Sequence, residues 1–256
     1  MIRKEDELWK GLLDEIFPDF IRFIYPTVDR FLNLDRGIEF LDKELEQLLQ
    51  GDSIPSSTRI VDKLVKAYTW GGQEEFILVH IEVQAKYSKD FAKRMFTYFY
   101  RLLDKYNKPV SAFAIFTEAN NIERPDTYRS EFMGTELRYK FKTYKITAAT
   151  DEELEASENP FAIVVLAART AFKGKDINDK TAYDLFKKDW KLELFKKLQT
   201  KKVAEKKARA IWNFINFYIP LDFEVTKDIF KKEFNNLNKT NKIMDTCKPY
   251  RLPESC

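Results

Sequence analysis

The sequence predicts an α/β fold, a mixed sheet flanked by helices, followed by a mainly helical C-terminal region. Three observations predict it. Between Thr58 and Lys86, two apolar segments flank Trp70-Gly71-Gly72-Gln73, the pattern of a hairpin. A helical pattern from Lys89 to Tyr106 then leads into an apolar run of strand length, Val110 to Thr117. Strand, strand, helix, strand in that order places the last strand parallel to an earlier one. From Asp151 onward the apolar spacing is helical to the end. The expected organisation is therefore a domain over residues 1–150 and a helical region over 151–256.

Leu8 to Tyr25 carries apolar residues at three-and-four spacing, from Leu8, Trp9 and Leu12 through Ile24, and reads as an amphipathic helix. Pro18 should kink or divide it. Ile38 to Leu49 repeats the helical pattern and ends in Gln50-Gly51-Asp52-Ser53, a loop signal. Asn107-Lys108-Pro109 stops the helix that begins near Lys89. Arg138 to Thr147 alternates through Tyr139, Phe141, Tyr144 and Ile146, as an edge strand does. Beyond Thr150 the most apolar stretch is Pro160 to Ala171, and Trp212 to Tyr218 is aromatic.

Composition bounds the function. A hydrophobic content of 44% over 256 residues suffices for a sizeable core. The start MIRKEDELWK is charged where a signal peptide needs an apolar region, and no apolar run has the length of a membrane span, so a cytoplasmic protein with no membrane partner is expected. The cysteines, Cys247 and Cys256, give no disulfide framework, and with one histidine, His80, there is no zinc cage. No Gly-x-Ser-x-Gly elbow accompanies His80 to support a triad. The net charge of +3 does not argue for nucleic acid by itself. The run from Lys196 to Arg209, with Lys201, Lys202, Lys206 and Lys207, reads either as a solvated helix face or as a phosphate-binding stripe.

The hairpin carries the chemistry. Asp62 lies on its first strand and Glu82-Val83-Gln84 on its second. Residues two apart in a strand share a face about 7 Å apart, so His80, Glu82, Gln84 and Lys86 line one face, with Val79, Ile81 and Val83 on the other. A three-residue loop at Gly71 to Gln73 pairs Asp62 directly with Glu82, with Cβ atoms about 4.5 to 5.5 Å apart. A two-residue loop would turn Asp62 to the opposite face. Two opposed carboxylates repel unless a cation joins them. Oxygen-only ligands suit Mg²⁺, with Mn²⁺ able to substitute. The competing reading is an exposed polar hairpin face, but the apolar run Phe76 to Val79 leading into the acid favours a purpose for the charge.

From Asp6 to Glu118 these residues resemble the recombination-promoting nuclease/transposase group of the PD-(D/E)XK nuclease superfamily. The resemblance rests on Asp6-x-x-Trp9-Lys10, Phe40-Leu41-Asp42-Lys43-Glu44-Leu45, Val61-Asp62-Lys63-Leu64, Ile81-Glu82-Val83-Gln84 and Arg94-x-x-x-Tyr98. It implies a PD-(D/E)XK core in which Asp62 and Glu82 bind Mg²⁺ with the Val83 carbonyl as a further ligand. Gln84 stands where the superfamily motif usually has lysine, a variant expected in this group; Lys86 or Lys66 would then supply the missing charge. Asp6 either positions a second ion or a metal-bound water, or is an acid at a helix start. Arg94 and Tyr98 either meet a substrate phosphate or buttress the sheet, and His80 either forms structural hydrogen bonds or joins the chemistry. The implied function is an Mg²⁺-dependent DNA endonuclease linked to DNA recombination. The alternative is a catalytically weak or inactive nuclease-like protein that binds DNA or a protein partner. Cutting both strands with one site per chain would call for a homodimer.

Overall fold

The structure is a computed structural model describing residues 2–49, 60–82, 90–118, 122–174 and 176–241, with only the backbone described at 2–6, 49, 60–62, 76, 78–82, 171 and 239–241. The chain divides into two compact units, one of Met1–Lys10 and Phe20–Ala148, the other of Gly11–Asp19 and Ala149–Cys256. The expected boundary near Thr150 falls beside this division, but the middle of the first helix groups with the second unit, which periodicity within one helix could not reveal.

Helix α1 spans Ile2–Ile24 and breaks from helical geometry at Ile16 (φ −124°, ψ 20°), two residues before Pro18. The proline ring removes a donor and crowds the preceding turn, so the break falls just upstream of it. The pattern from Ile38 does not start a helix there. Glu39–Phe40 forms a short strand, β1, and helix α2 begins only at Asp42 and runs to Leu49. Backbone pairing to the next strand outweighs the helical spacing at these two residues, Glu39 facing Lys66 and Phe40 facing Val65.

Strands β2 (Ile60–Tyr68) and β3 (Glu74–Glu82) form the expected antiparallel hairpin. Thr69 N–H donates to the Gln73 carbonyl at 2.8 Å and Gly72 N–H to the Thr69 carbonyl at 2.9 Å. The loop is thus Trp70 to Gly72, a type I turn closed by a left-handed residue, and Gly72 (φ 82°) occupies that last position. Helix α3 (Phe91–Tyr106) follows, capped by Asn107 in the left-handed region with its N–H on the Leu103 carbonyl at 2.8 Å. Strand β4 (Val110–Phe116) then runs parallel to β3.

Arg138 to Thr147 is not one edge strand. Thr127–Phe132 (β5) and Thr135–Lys140 (β6) make a separate antiparallel hairpin, and Lys142–Lys145 (β7) joins β4 in parallel. The chain switches sheets at buried Phe141. The main sheet has the order β1-β2-β3-β4-β7. Its one face, read at Leu64, Ala112, Ala114 and Phe116, packs with Leu45 of α2 and Phe91, Met95, Tyr98 and Leu102 of α3. The other face meets the end of α1, where Tyr25 lies against Phe113 and Phe23 against Tyr144.

The second unit is helical. It contains α4 (Asp151–Ala156), α5 (Phe161–Ala168), α6 (Thr170–Lys173), α7 (Lys180–Thr200), α8 (Glu205–Tyr218) and α9 (Glu224–Asn241). Every residue of α5 is buried, as its uniform apolarity requires. Trp212 stacks on Phe234 at 4.9 Å, with Phe195 against both. Among the described residues no helix is long and apolar enough to cross a membrane.

Candidate metal centre and phosphate site

The register of the hairpin decides what Asp62 and Glu82 can share. Asp62 pairs with His80, and Glu82 with Ile60. The direct opposition of Asp62 and Glu82 expected above is therefore corrected: the loop closes one residue earlier, and the two acids become diagonal neighbours. Because the loop still has three residues, face parity is kept. Positions 62, 80 and 82 lie on one face, the face that carries Leu64 and packs with α3. Diagonal neighbours are about 7 Å apart, so an ion between them remains within carboxylate reach at Mg–O distances of about 2.1 Å. The side chains of Asp62 and Glu82 are outside the described set, as are Val83, Gln84 and Lys86 entirely; Asp6 is placed by backbone alone, at the start of α1. Among the described residues no group of three His, Cys, Asp or Glu forms a metal cage.

Neighbouring strands extend the site. Across β3, β4 and β7, Glu82 aligns with Phe116 and Phe116 with Lys145, all at the carboxyl ends of parallel strands. That end of an open α/β sheet is where ligands ordinarily bind. Beyond it, Glu118 is ion-paired with Arg124, and Lys145 lies 3.6 Å from the same carboxylate while donating to the Ile122 carbonyl at 2.8 Å. Two cations thus share one acid beside the row of Glu82. Sequence reasoning missed this trio: Glu118 ends an apolar run and Lys145 sits in an alternating stretch, and no local signal links them.

The first turn of α3 covers Phe116, with the Phe91 and Phe116 rings 5.1 Å apart. Arg94, in this turn, is half-buried, and its Nε and Nη2 are sealed from water without a hydrogen-bond acceptor among the described residues. Its guanidinium carbon lies 5.5 Å from the Phe91 ring centre, within the range of a cation–π contact. A guanidinium without an acceptor is an unusual state, because each lost hydrogen bond to a buried polar group costs about 1–3 kcal/mol. Tyr98 differs. It is buried in the core between α3 and the sheet, which is the buttress reading of the two expected for it.

Strand β2 is pinned next to Asp62. Asp42, at the start of α2, accepts from the Lys63 ammonium at 2.7 Å and from Leu64 N–H at 3.3 Å, and Leu41 N–H donates to the Leu64 carbonyl at 2.7 Å. Lys63 is only 1% exposed, so this pairing ties the start of α2 to the residue after Asp62. Lys66 does not reach the acids. It is four residues along β2 from Asp62 and is paired with Glu39 at 2.8 Å, which holds its ammonium well above the usual lysine range.

The basic run lies in the second unit and is largely engaged within it. Lys201 donates to the Ser157 carbonyl, Lys206 pairs with Glu15 at 2.8 Å and Lys207 with Asp19 at 2.6 Å. Lys202 alone of the four is exposed without an ion pair among the described residues. A phosphate-binding stripe would have to break these pairs. A cavity of about 730 Å³ also opens in the first unit, lined by Ile21, Tyr25, Phe99, Phe113 and Glu75. Glu75 is seven residues from Glu82 on β3, about 23 Å away, so the cavity is separate from the acids.

What the fold and site define is a mixed α/β unit with two acidic positions on one sheet face, Glu82 at the carboxyl end of β3 and Asp62 near the start of the antiparallel β2 beside it. No family model, no curated protein and no solved structure matches the chain.

Proposed function

We propose that this chain is an Mg²⁺-dependent DNA endonuclease that hydrolyses phosphodiester bonds, built on a PD-(D/E)XK core of the recombination-promoting nuclease/transposase type. The observation that carries the reading is the shared face of positions 62 and 82, together with an Arg94 guanidinium whose Nε and Nη2 have no acceptor among the described residues. Residues Asp62 and Glu82, with the Val83 carbonyl, would hold the ion. When bound, the ion supplies Lewis acidity at the scissile phosphate and lowers the pKa of water.

The chain's own residues do the rest. Gln84 orients the attacking water by hydrogen bonds, so that its oxygen bonds to phosphorus in line with the departing sugar oxygen. Lys86 adds positive charge near the developing negative charge. Arg94 would turn its Nε and Nη2 edges, which have no acceptor among the described residues, outward to the non-bridging phosphate oxygens, a charge-assisted pairing suited to a planar guanidinium. Its place in the first turn of α3 adds the positive end of a helix to the same phosphate. Asp6 would steady a metal-bound water from the start of α1.

The test is nicking of supercoiled plasmid with Mg²⁺ or Mn²⁺, beside EDTA and identically purified Glu82→Ala protein. Metal-dependent nicking lost in the variant supports the reading. Equal activity in the variant assigns the cutting to a contaminant. DNA binding without cutting in both proteins replaces the endonuclease by a nuclease-like binding protein.

A further inference from the structure

The β5–β6 hairpin carries a charge pattern that one copy of the chain does not satisfy. Its strands pair Arg129 with Arg138 and, one step nearer the tip, Glu131 with Glu136. Pairs directly opposite in a ladder share a face, so the outer face shows a row of two arginines beside a row of two glutamates. All four side chains are exposed, and no ion pair joins any of them to another described residue. Like charges directly opposed are destabilising within a strand pair, and here the arrangement occurs twice in succession.

The opposite face explains how the hairpin tolerates this. Tyr128 stacks on Phe96 at 5.2 Å and Tyr139 lies tilted against it at 5.7 Å, and Tyr139 also lies 4.6 Å from Phe99, so the root is anchored on α3. The tip turns through Met133 (φ 47°) and Gly134 (φ 81°), the two left-handed residues of a type I′ turn. Phe132 and Met133 there are 76% and 88% exposed. Adjacent exposed apolar residues at a tip mark a contact surface more often than an accident.

We propose that this outer face is the contact between two copies of the chain, related by a two-fold axis passing between the arginine row and the glutamate row. Such an axis sets each arginine pair over the partner's glutamate pair and each glutamate pair over the partner's arginines. Self-complementarity of this kind is what an isologous interface requires. Rows on one face repeat about every 7 Å, so the same axis carries the tip of each hairpin over the root of the other, where Met133 meets Thr127 and the stem of Lys140. A phosphate backbone fits less well, because the glutamate row lies between the arginines and the tip.

A strand of six residues about 20 Å long, in a ribbon about 10 Å wide, gives a footprint on the order of a few hundred Å² per copy, in the transient class of interfaces. Association should therefore be concentration-dependent and salt-sensitive. The inference does not depend on the endonuclease reading.

The experiment is sedimentation of the full chain over a concentration series, at about 50 mM and about 500 mM salt. Two charge-reversed variants are run alone and mixed: Arg129→Glu/Arg138→Glu, and Glu131→Arg/Glu136→Arg. The expected result is a wild-type dimer weakened by salt, each variant monomeric alone, and a one-to-one dimer on mixing, since one face is then wholly acidic and the other wholly basic. Restored pairing also shows that both variants are folded. A wild-type chain that stays monomeric, a variant that dimerises as the wild type does, or a mixture that fails to associate would each overturn the proposal. So would loss of DNA binding in the acidic variant of a monomeric wild type, which would assign the arginines to phosphate.

Discussion

Lys191 should make the stability of the helical unit depend on pH in the alkaline range. The side chain is 3% exposed, donates to the Asn216 carbonyl at 3.2 Å and to its Oδ1 at 2.8 Å, and lies 4.7 Å from the Phe230 ring centre. Burial, together with the nearby Lys187 charge, depresses its ammonium from 10.5 to about 7, against a smaller opposing pull from Asp184. At about 1.4 kcal/mol for each tenfold change in proton affinity, this displacement amounts to about 5 kcal/mol. Attraction of a cation to the Phe230 ring offsets at most about 2 kcal/mol, so desolvation wins.

Between pH 7 and 10.5 the unfolded chain holds a proton on Lys191 that the folded chain has released. Unfolding then takes up a proton, and stability rises with pH through this window. The cost is fully present below pH 7 and fades as pH approaches the unfolded value. Lys191→Met removes the ionisable group while keeping a long apolar stem, at the expense of two acceptors on Asn216 whose loss is independent of pH. Urea unfolding of both proteins at about pH 6, 8 and 10 is the assay. The variant should be favoured most at the lowest pH, and its advantage should shrink by about 4 kcal/mol by the highest. A difference between the two proteins that stays constant within about 1 kcal/mol would refute the argument.

Further predictions concern the framework of both units. Asp42→Ala leaves the buried Lys63 ammonium without its carboxylate and should cost about 2–3 kcal/mol by chemical denaturation, whereas adding Lys63→Met should recover much of it. Thr150→Ala breaks the capping box, in which Glu153 N–H donates to the threonine hydroxyl and the carboxylate of Glu153 receives Thr150 N–H, and should cost about 1 kcal/mol. Leu166→Ala in fully buried α5 should cost about 2–5 kcal/mol, read by the same unfolding curves. Arg94→Ala should abolish nicking at little cost in stability, because Nε and Nη2 have no acceptor among the described residues to lose and the contact with Phe91 is worth about 1 kcal/mol. Destabilisation there would make Arg94 a structural residue.

Much of the first unit was legible because its signals are local. Three-and-four spacing marked α1 and α3, and an apolar run after a helix marked β4 and its parallel pairing. Parity of Asp62 and Glu82 was legible too, since any three-residue loop keeps it. The register itself was not, because it depends on which loop residue takes the left-handed conformation. Gly72 takes the last position rather than the centre, and every pair shifts accordingly. The β5 strand gave little signal: from Arg129 to Phe132 its side chains are all exposed, so no apolar alternation marks it. The cluster of Glu118, Arg124 and Lys145 is assembled by tertiary structure, and Lys187, Lys188 and Lys191 are buried within a stretch whose composition reads as solvent-facing.

The register places positions 62 and 82 on one face, and the proposed activity requires Asp62 and Glu82 to hold a single divalent ion there. The direct measurement is Mn²⁺ binding by electron paramagnetic resonance to the wild-type chain, Asp62→Asn and Glu82→Gln. One tightly held ion per chain, with affinity reduced by about tenfold or more in each variant, is the predicted result. Unchanged affinity in either variant would contradict the shared site.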